Sequence, residues 1–255
     1  MTFPVELHIF GRALPAHPIF EALGYIVGFQ TYLLLRRRSK RTITSDQPTI
    51  WIIVGCIFGA LIGSKLLAIV ESFPDYWSAG AQLPTWLGGK TIVGGLVGGW
   101  IGVEIAKKFL GVRERTGDLF VFPLLIGIAI GRIGCFLTGL PDHTYGSHTN
   151  LPWAVDFGDG PRHPTQLYEI VFLVALGLVL ARYIRRPHAA GHLWRLFALS
   201  YFGFRFAVEF IKPRHTLPIV QLSAIQIVSL AAVLLALWQM ARTHQAARSK
   251  LAPGM

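Results

Sequence analysis

The sequence has 255 residues, of which 53% are hydrophobic and 15% are charged, and a formal net charge of +11. A soluble domain has about 25% charged residues, so this composition excludes an ordinary soluble protein. Two cysteines exclude a disulfide scaffold, and no Cys/His pair stands at zinc-binding spacing, so we expect no metal and no cofactor. The basic residues lie in short clusters between apolar runs, which is typical of a polytopic membrane protein and argues against a nucleic-acid partner.

Seven apolar runs are long enough to cross a hydrocarbon core of ~30 Å, which takes about 20 residues of helix. We therefore predict an all-α protein with a single transmembrane domain over residues 1–255. The predicted spans are Pro18–Leu35, Ile50–Val70, Thr91–Leu110, Asp118–Leu137, Thr165–Ile184, Leu193–Ile211 and Gln221–Ala241.

The distribution of positive charge predicts the orientation of these spans. Sixteen of the 24 Lys and Arg residues cluster after spans 1, 3 and 7 and around the connection between spans 5 and 6. These regions share one side in a seven-span protein, and an excess of Lys and Arg marks the cytoplasmic side. The N-terminus is then outside and the C-terminus inside. Lys212 and Arg214 are exceptions, because they fall on the outer side.

Ionisable side chains inside apolar spans cost several kcal/mol unless they are paired or hydrated, so they indicate function. Arg132 in span 4 needs an anion, which is either an internal carboxylate or a lipid phosphate. In span 6, Tyr201, Arg205 and Glu209 share one helix face at spacings of four residues. Arg205 and Glu209 can therefore pair within the helix, and the three residues either only aid helix packing or line a polar cavity.

Span 5 opens with a polar segment, Arg162–Glu169, on the predicted outer side. The positive end of this helix faces the interface and favours anions. An imidazole can take up or release a proton near neutral pH, so His163 is either a solvated interfacial residue or a proton-transfer group. The outer loop before it adds Asp142 and His143.

Span 3 begins with Lys90 and a glycine-rich stretch that includes Gly94 and Gly95. Small residues let helices approach closely, and this explains most of the glycines. The alternative is a break in which backbone amides, together with Lys90, face a phosphate.

Four segments of the chain resemble the prolipoprotein diacylglyceryl transferase family. They are the Val-Gly-Gly-Leu-Val-Gly run at Val93–Gly98, Gly-Arg-Ile-Gly-Cys-Phe at Gly131–Phe136, Arg-His-Pro-Thr-Gln-Leu-Tyr-Glu at Arg162–Glu169 and Phe-Arg-Phe-Ala-Val-Glu-Phe at Phe204–Phe210. Tyr25–Phe29 in span 1 and Gln226 in span 7 also fit, so the resemblance covers nearly the whole chain.

The resemblance implies a seven-span enzyme of the bacterial inner membrane with its N-terminus outside. Members move the diacylglyceryl group of phosphatidylglycerol onto the lipobox cysteine thiol of a prolipoprotein, forming a thioether and releasing glycerol phosphate. The implied partners are phosphatidylglycerol, the prolipoprotein signal peptide and membrane lipids. The family's essential arginines map onto Arg132 and Arg205, and its span 6 tyrosine and glutamate map onto Tyr201 and Glu209.

The sequence also departs from the family pattern. Val93 stands where the family has a histidine, and Glu21 stands where it tends to have a tyrosine. Cys135, Thr138 and Leu140 replace two asparagines and a glutamate of the span 4 signature. Either another residue supplies the base, or the chain is a paralogue that binds lipid headgroups but uses another acceptor or has no catalysis. A transporter of a small anion is disfavoured because the two halves show no repeat symmetry.

We therefore predict two sets of site residues. Two buried arginines would neutralise a developing glycerol-phosphate leaving group, and a nearby base would generate the thiolate. The predicted catalytic residues are Arg132, Arg205, Glu209, His163 and His143. The predicted substrate-binding residues are Lys90, Gly94, Gly95, Tyr168, Glu169, Tyr201 and Asp142.

Overall fold

The structure, a computed structural model, describes residues 3–9, 11–38, 46–73, 89–213, 216 and 221–251. Long helices dominate this part of the chain, as predicted. They are α1 (Ala16–Arg38), α2 (Asp46–Glu71), α3 (Ile92–Leu110), α4 (Val121–Thr138), α5 (Thr165–Tyr183), α6 (His192–Val208) and α7 (Ala224–Leu251). Their order and bounds match the predicted spans to within a few residues, except that α7 continues well beyond its predicted end at Ala241.

The short elements were not predicted. Single 3₁₀ turns precede α4 at Gly117–Phe120, follow it at Leu140–Asp142 and end α6 at Glu209–Ile211. Two antiparallel hairpins also form, so the all-α prediction needs a small correction. They pair β1 (Glu6–Ile9) with β2 (Arg12–Pro15), and β3 (Val155–Asp156) with β4 (Pro161–Arg162). The first turn contains Gly11, whose φ of 74° is the left-handed conformation that glycine tolerates best.

Five helical segments among the described residues are long and apolar enough to cross a membrane, which fits a multi-pass membrane protein. They are Ala16–Arg38, Pro48–Glu71, Gly117–Thr138, Thr165–Tyr183 and Ala224–Thr243. Helix α3 carries Glu104, Lys107 and Lys108 in its second half, and α6 has 17 residues that include Arg195 and Arg205. The seven-span count and the orientation of the termini remain predictions.

The chain forms two compact units. The first comprises Met1–Lys40, Thr116–Ser200 and Phe210–Pro213. In it, α4 packs against both α1 and α5. Helices α1 and α4 cross closely at glycine, since a Cβ added to Gly24 would lie 2.6 Å from the carbonyl oxygen of Gly127.

The second unit comprises Arg41–Arg115, Tyr201–Glu209 and Arg214–Met255. Helices α2 and α3 pack tightly in it, and α7 packs against both. Three glycine pairs bring the backbones of α2 and α3 together: Gly55 with Gly102, Gly59 with Gly98 and Gly63 with Gly94. A Cβ at any of these positions would overlap the facing backbone. The prediction of a single domain over residues 1–255 stays a prediction.

Candidate functional site

Arg132 lies on α4 in the first unit and finds the internal carboxylate that the sequence left as one of two alternatives. Its Nε is 2.8 Å from Oε2 of Glu169, on the first helical turns of α5, and the two side chains are 5% and 2% exposed. In a buried pair of this kind the two charges stabilise each other, and removing either one leaves the other buried without that counter-charge. The pair therefore fixes the guanidinium in place on α4.

A second polar group lies next to Arg132. Nη1 of Arg132 is 3.7 Å from Sγ of Cys135, one helical turn further along α4. His17, at the start of α1, has its Nδ1 2.8 Å from Oδ1 of Asp142. Ligand atoms of His17, Cys135 and Asp142 all lie within 4.8 Å of one another. Three parts of the first unit thus bring an imidazole, a thiol and a carboxylate together beside the arginine.

Further contacts hold this cluster. Burial by itself would raise the pKa of Asp142, but hydrogen bonds from His17 and Thr144 outweigh it and lower the pKa below its usual value. Asp142 is therefore held as a carboxylate. Nε2 of His17 lies 3.8 Å from Oε2 of Glu21, and the Tyr25 hydroxyl donates to Oε1 of Glu21 over 2.8 Å.

The two histidines that the sequence put forward lie elsewhere in the same unit. Nδ1 of His163 lies 3.1 Å from the hydroxyl of Tyr168, which accepts a hydrogen bond of 2.8 Å from Nε1 of Trp153. The structure thus brings together His163, just before α5, and Tyr168, in the first helical turn of α5. His143 is exposed, and its ring stands 6.4 Å from that of Tyr145.

Arg162 organises the loop that precedes α5. Its Nη2 is 2.6 Å from Oδ2 of Asp159, and its guanidinium lies 4.7 Å from the ring centroid of Tyr145. The hydrogen bond from Arg162 lowers the pKa of Asp159 below its usual value. Nη1 of Arg162 also donates to the Gly146 carbonyl over 3.2 Å. These contacts tie residues 145–162 together next to His163.

In the second unit, the spacing in span 6 has the predicted result. Nη2 of Arg205 is 3.1 Å from Oε2 of Glu209, and both side chains are buried. Tyr201, on the same face of α6, is fully buried. The structure therefore brings these three predicted residues together on one helix face, and the pairing of Arg205 with Glu209 is confirmed.

Three predicted substrate-binding residues lie at the start of α3. Lys90 is exposed, and the amides of Gly94 and Gly95 donate to the side chain and the carbonyl of Thr91, over 3.3 Å and 3.0 Å. Gly94 also packs against Gly63. The Gly94 amide thus caps α3 and the Gly95 amide makes a helical hydrogen bond. This agrees with the explanation that these glycines serve helix packing. A role for Lys90, Gly94 and Gly95 in binding substrate stays a prediction.

Neither His17 nor Cys135 was among the site residues predicted from the sequence. His17 and Asp142 are far apart in the sequence, and no spacing rule links them to Cys135. The available signal was a histidine directly ahead of an apolar span, followed by Glu21 one helical turn later. The geometry of the first unit was needed to join these residues.

Comparison with known proteins agrees with the motifs. The sequence profile described as "Prolipoprotein diacylglyceryl transferase" matches residues 4–242. A phosphatidylglycerol–prolipoprotein diacylglyceryl transferase of Nitratidesulfovibrio vulgaris (strain DP4) is 36% identical over 241 residues, covering 85% of this chain and 86% of that relative. Proteins of the same name are 33% identical in Bordetella parapertussis, over 82% of this chain and 79% of the relative, and 31% identical in Clostridium tetani, over 92% and 95%. The chain belongs to the prolipoprotein diacylglyceryl transferase family.

Proposed function

We propose that this protein transfers the diacylglyceryl group of phosphatidylglycerol to the lipobox cysteine thiol of a prolipoprotein. The observation that carries the proposal is Arg132, a guanidinium fixed on α4 by Glu169 in a chain of this family. A guanidinium has five N–H donors in a planar fork, a geometry that matches the oxygens of a phosphate. The same group is therefore suited to bind the phosphate of the lipid.

The phosphate of the lipid departs as part of the leaving group. The acceptor sulfur forms a bond to the glyceryl carbon, the bond from that carbon to the phosphate oxygen breaks, and glycerol phosphate leaves. Cationic donors that meet the growing negative charge stabilise the transition state more than the ground state. We assign this task to Arg132 and Arg205, with Glu209 holding the Arg205 side chain.

The acceptor thiol has to lose its proton, because the thiolate is the nucleophile. Val93, at the family's histidine position, is a buried hydrocarbon side chain and cannot accept a proton. We propose His163, oriented by Tyr168, as the main proton acceptor, with His143 as the weaker candidate. The remaining predicted contacts to substrate are those of Lys90, Gly94, Gly95, Tyr168, Glu169, Tyr201 and Asp142.

The proposed setting is the outer leaflet of the bacterial inner membrane. A seven-span chain with its N-terminus outside and its C-terminus in the cytoplasm would present Asp142, His143 and His163 at the external interface. The asymmetry of Lys and Arg along the sequence supports this orientation. Prolipoprotein signal peptides and phosphatidylglycerol would both reach the site from the membrane.

The proposal is tested with the purified full chain, phosphatidylglycerol and a peptide that contains one lipobox cysteine. Mass spectrometry should show the peptide gaining one diacylglyceryl group while glycerol phosphate is released. The matched control is the same peptide with serine in place of cysteine, which should stay unmodified. The gene should also rescue a bacterial strain depleted of its own diacylglyceryl transferase. An unmodified cysteine peptide together with failed rescue would contradict the proposal.

A second candidate is a family member that binds phospholipid headgroups but uses another acceptor or has no catalysis. The replacements at Val93, Cys135 and Leu140 favour it, since three polar side chains of the family signature are missing. It predicts that the chain binds phosphatidylglycerol vesicles, with loss of binding in Arg132→Lys, while the cysteine peptide remains unmodified.

A further inference from the structure

We propose that His17, Cys135 and Asp142 form a binding site for one zinc-type divalent metal ion. The ligand atoms of the three side chains lie within 4.8 Å of one another, and Cys135 and Asp142 are largely buried. They come from the start of α1, the last turn of α4 and the 3₁₀ turn after α4. Three elements of one unit therefore point ligating atoms at a common place.

The chemistry of the three donors selects the metal. An imidazole nitrogen and a thiolate sulfur are poor ligands for Ca²⁺ and Mg²⁺, which take oxygen, and good ligands for Zn²⁺. A neutral imidazole, a thiolate and a carboxylate together balance the charge of a divalent ion. Three protein ligands also leave one tetrahedral position open, as in catalytic rather than structural zinc sites.

The surroundings have the features of an outer shell. A histidine that ligates a metal through one nitrogen usually directs the other towards a carboxylate. Here Nδ1 of His17 lies beside its fellow ligand Asp142, and the other nitrogen, Nε2, faces the carboxylate of Glu21 at 3.8 Å. Glu21 in turn accepts from the Tyr25 hydroxyl, and Asp142 accepts from Thr144. Each of the two acidic groups is thus held in place by a hydroxyl.

The position of this site indicates its role, and this part of the inference rests on the proposed function. Sγ of Cys135 lies 3.7 Å from Nη1 of Arg132, the proposed phosphate-binding group. A metal next to that arginine would hold the acceptor sulfur at its open position, close to the glyceryl carbon. Binding to a cation lowers the pKa of a thiol, so the sulfur would give up its proton to His163 or water. The thiolate would then attack the glyceryl carbon while the bond from that carbon to the phosphate oxygen breaks and glycerol phosphate leaves. The resulting thioether is a weaker ligand and leaves.

The test measures metal in the purified full-length protein. After treatment with a chelator and reloading with ZnCl₂, elemental analysis should find about one zinc per chain. Loading with CoCl₂ should give the intense absorption of a thiolate-to-cobalt transition. Cys135→Ser, Asp142→Asn and His17→Gln should each reduce bound metal about tenfold or more. Cys56→Ser is the matched control and should bind as the unmodified chain does.

The outcomes separate the two proposals. Less than about a tenth of a zinc per chain in the unmodified protein, or full zinc in all three variants, would overturn the site. The cobalt spectrum of the unmodified chain tests the site even if a variant fails to fold. If the protein binds zinc but transfers at the same rate after the zinc is removed, the metal site stands and its proposed role in activating the thiol is overturned. Bound zinc in a protein that modifies no peptide would contradict the proposed transferase function alone.

Discussion

Arg132 on α4 and Glu169 on α5 form a buried ion pair, with Nε of Arg132 2.8 Å from Oε2 of Glu169. The pair joins the helix that carries the proposed phosphate-binding group to the helix that follows the predicted outer loop. It also explains how a cation is accommodated in an apolar helix.

Arg132→Lys keeps the positive charge but removes the planar fork. We expect transfer to fall by about tenfold or more, because an ammonium cannot bind Glu169 and a phosphate with the same geometry. The measurement is the initial rate of peptide modification. Arg113→Lys, at an exposed position, is the matched control and should keep its rate. A near-normal rate for Arg132→Lys would assign this arginine to structure alone.

Glu169→Gln removes the other partner. We expect the free energy of unfolding to drop by about 3–5 kcal/mol, because the guanidinium is left buried without its counter-charge. Thermal unfolding in detergent measures the loss. The double variant Arg132→Met with Glu169→Gln should recover part of it, since it buries no charge. Equal stability of the single and double variants would show that the pair does not carry this energy.

Arg205→Lys should also lower the transfer rate. Glu209 holds the Arg205 side chain through a 3.1 Å contact. Lysine has no planar guanidinium fork and cannot reproduce this geometry. The expected loss is about tenfold in rate, with Arg186→Lys, an exposed arginine, as the control. If both Arg132→Lys and Arg205→Lys retain their rates, phosphate binding by these arginines is excluded.

His163→Gln should slow transfer more than it weakens binding of phosphatidylglycerol. A neutral imidazole accepts a proton near physiological pH, whereas an amide does not. Rates and vesicle binding are measured in parallel over roughly pH 5 to 8, the range in which histidine titrates. His143→Gln should have a smaller effect on the rate at neutral pH. An unchanged rate for His163→Gln across this range would remove His163 from the reaction.

Gly98→Ala should destabilise the second unit. A Cβ at Gly98 would lie 2.8 Å from Cα of Gly63 and overlap the α2 backbone, whereas a Cβ at Gly95 meets Ser64 only at 3.7 Å. We expect a cost of about 1–3 kcal/mol for Gly98→Ala and none for Gly95→Ala, its control. Thermal unfolding of the two variants measures the difference in their stability. A stable Gly95→Ala variant that fails to bind phosphatidylglycerol would support the predicted role of Gly95 in binding substrate.

The predicted orientation is tested by labelling single introduced cysteines in intact cells with a membrane-impermeant reagent. Ser147→Cys, at an exposed position of the predicted outer loop, should react, and Ser39→Cys should not. Ser39 lies outside the described residues, so this test rests on the Lys and Arg distribution alone. The unmodified chain, with Cys56 and buried Cys135, gives the background. Labelling of the Ser39→Cys variant would contradict the proposed topology.

The sequence alone determined the features that depend on neighbours along the chain. A run of about 20 apolar residues has to be helical in lipid, because each backbone polar group needs a partner within the segment. The helices accordingly follow the predicted spans. Arg205 and Glu209 stand four residues apart, so their pairing follows from helix geometry and was predicted. The family motifs are local as well.

Only the tertiary structure decided which distant groups meet. The sequence left open whether Arg132 binds a carboxylate or a lipid phosphate, and the packing of α4 against α5 supplies Glu169. Neither Cys135 nor His17 was a predicted site residue, and the close approach of α1 to α4 brings both to Asp142. Such encounters depend on the rotation and depth of packed helices. These are set by many small contacts, including Gly24 against Gly127, and no single stretch of sequence contains them.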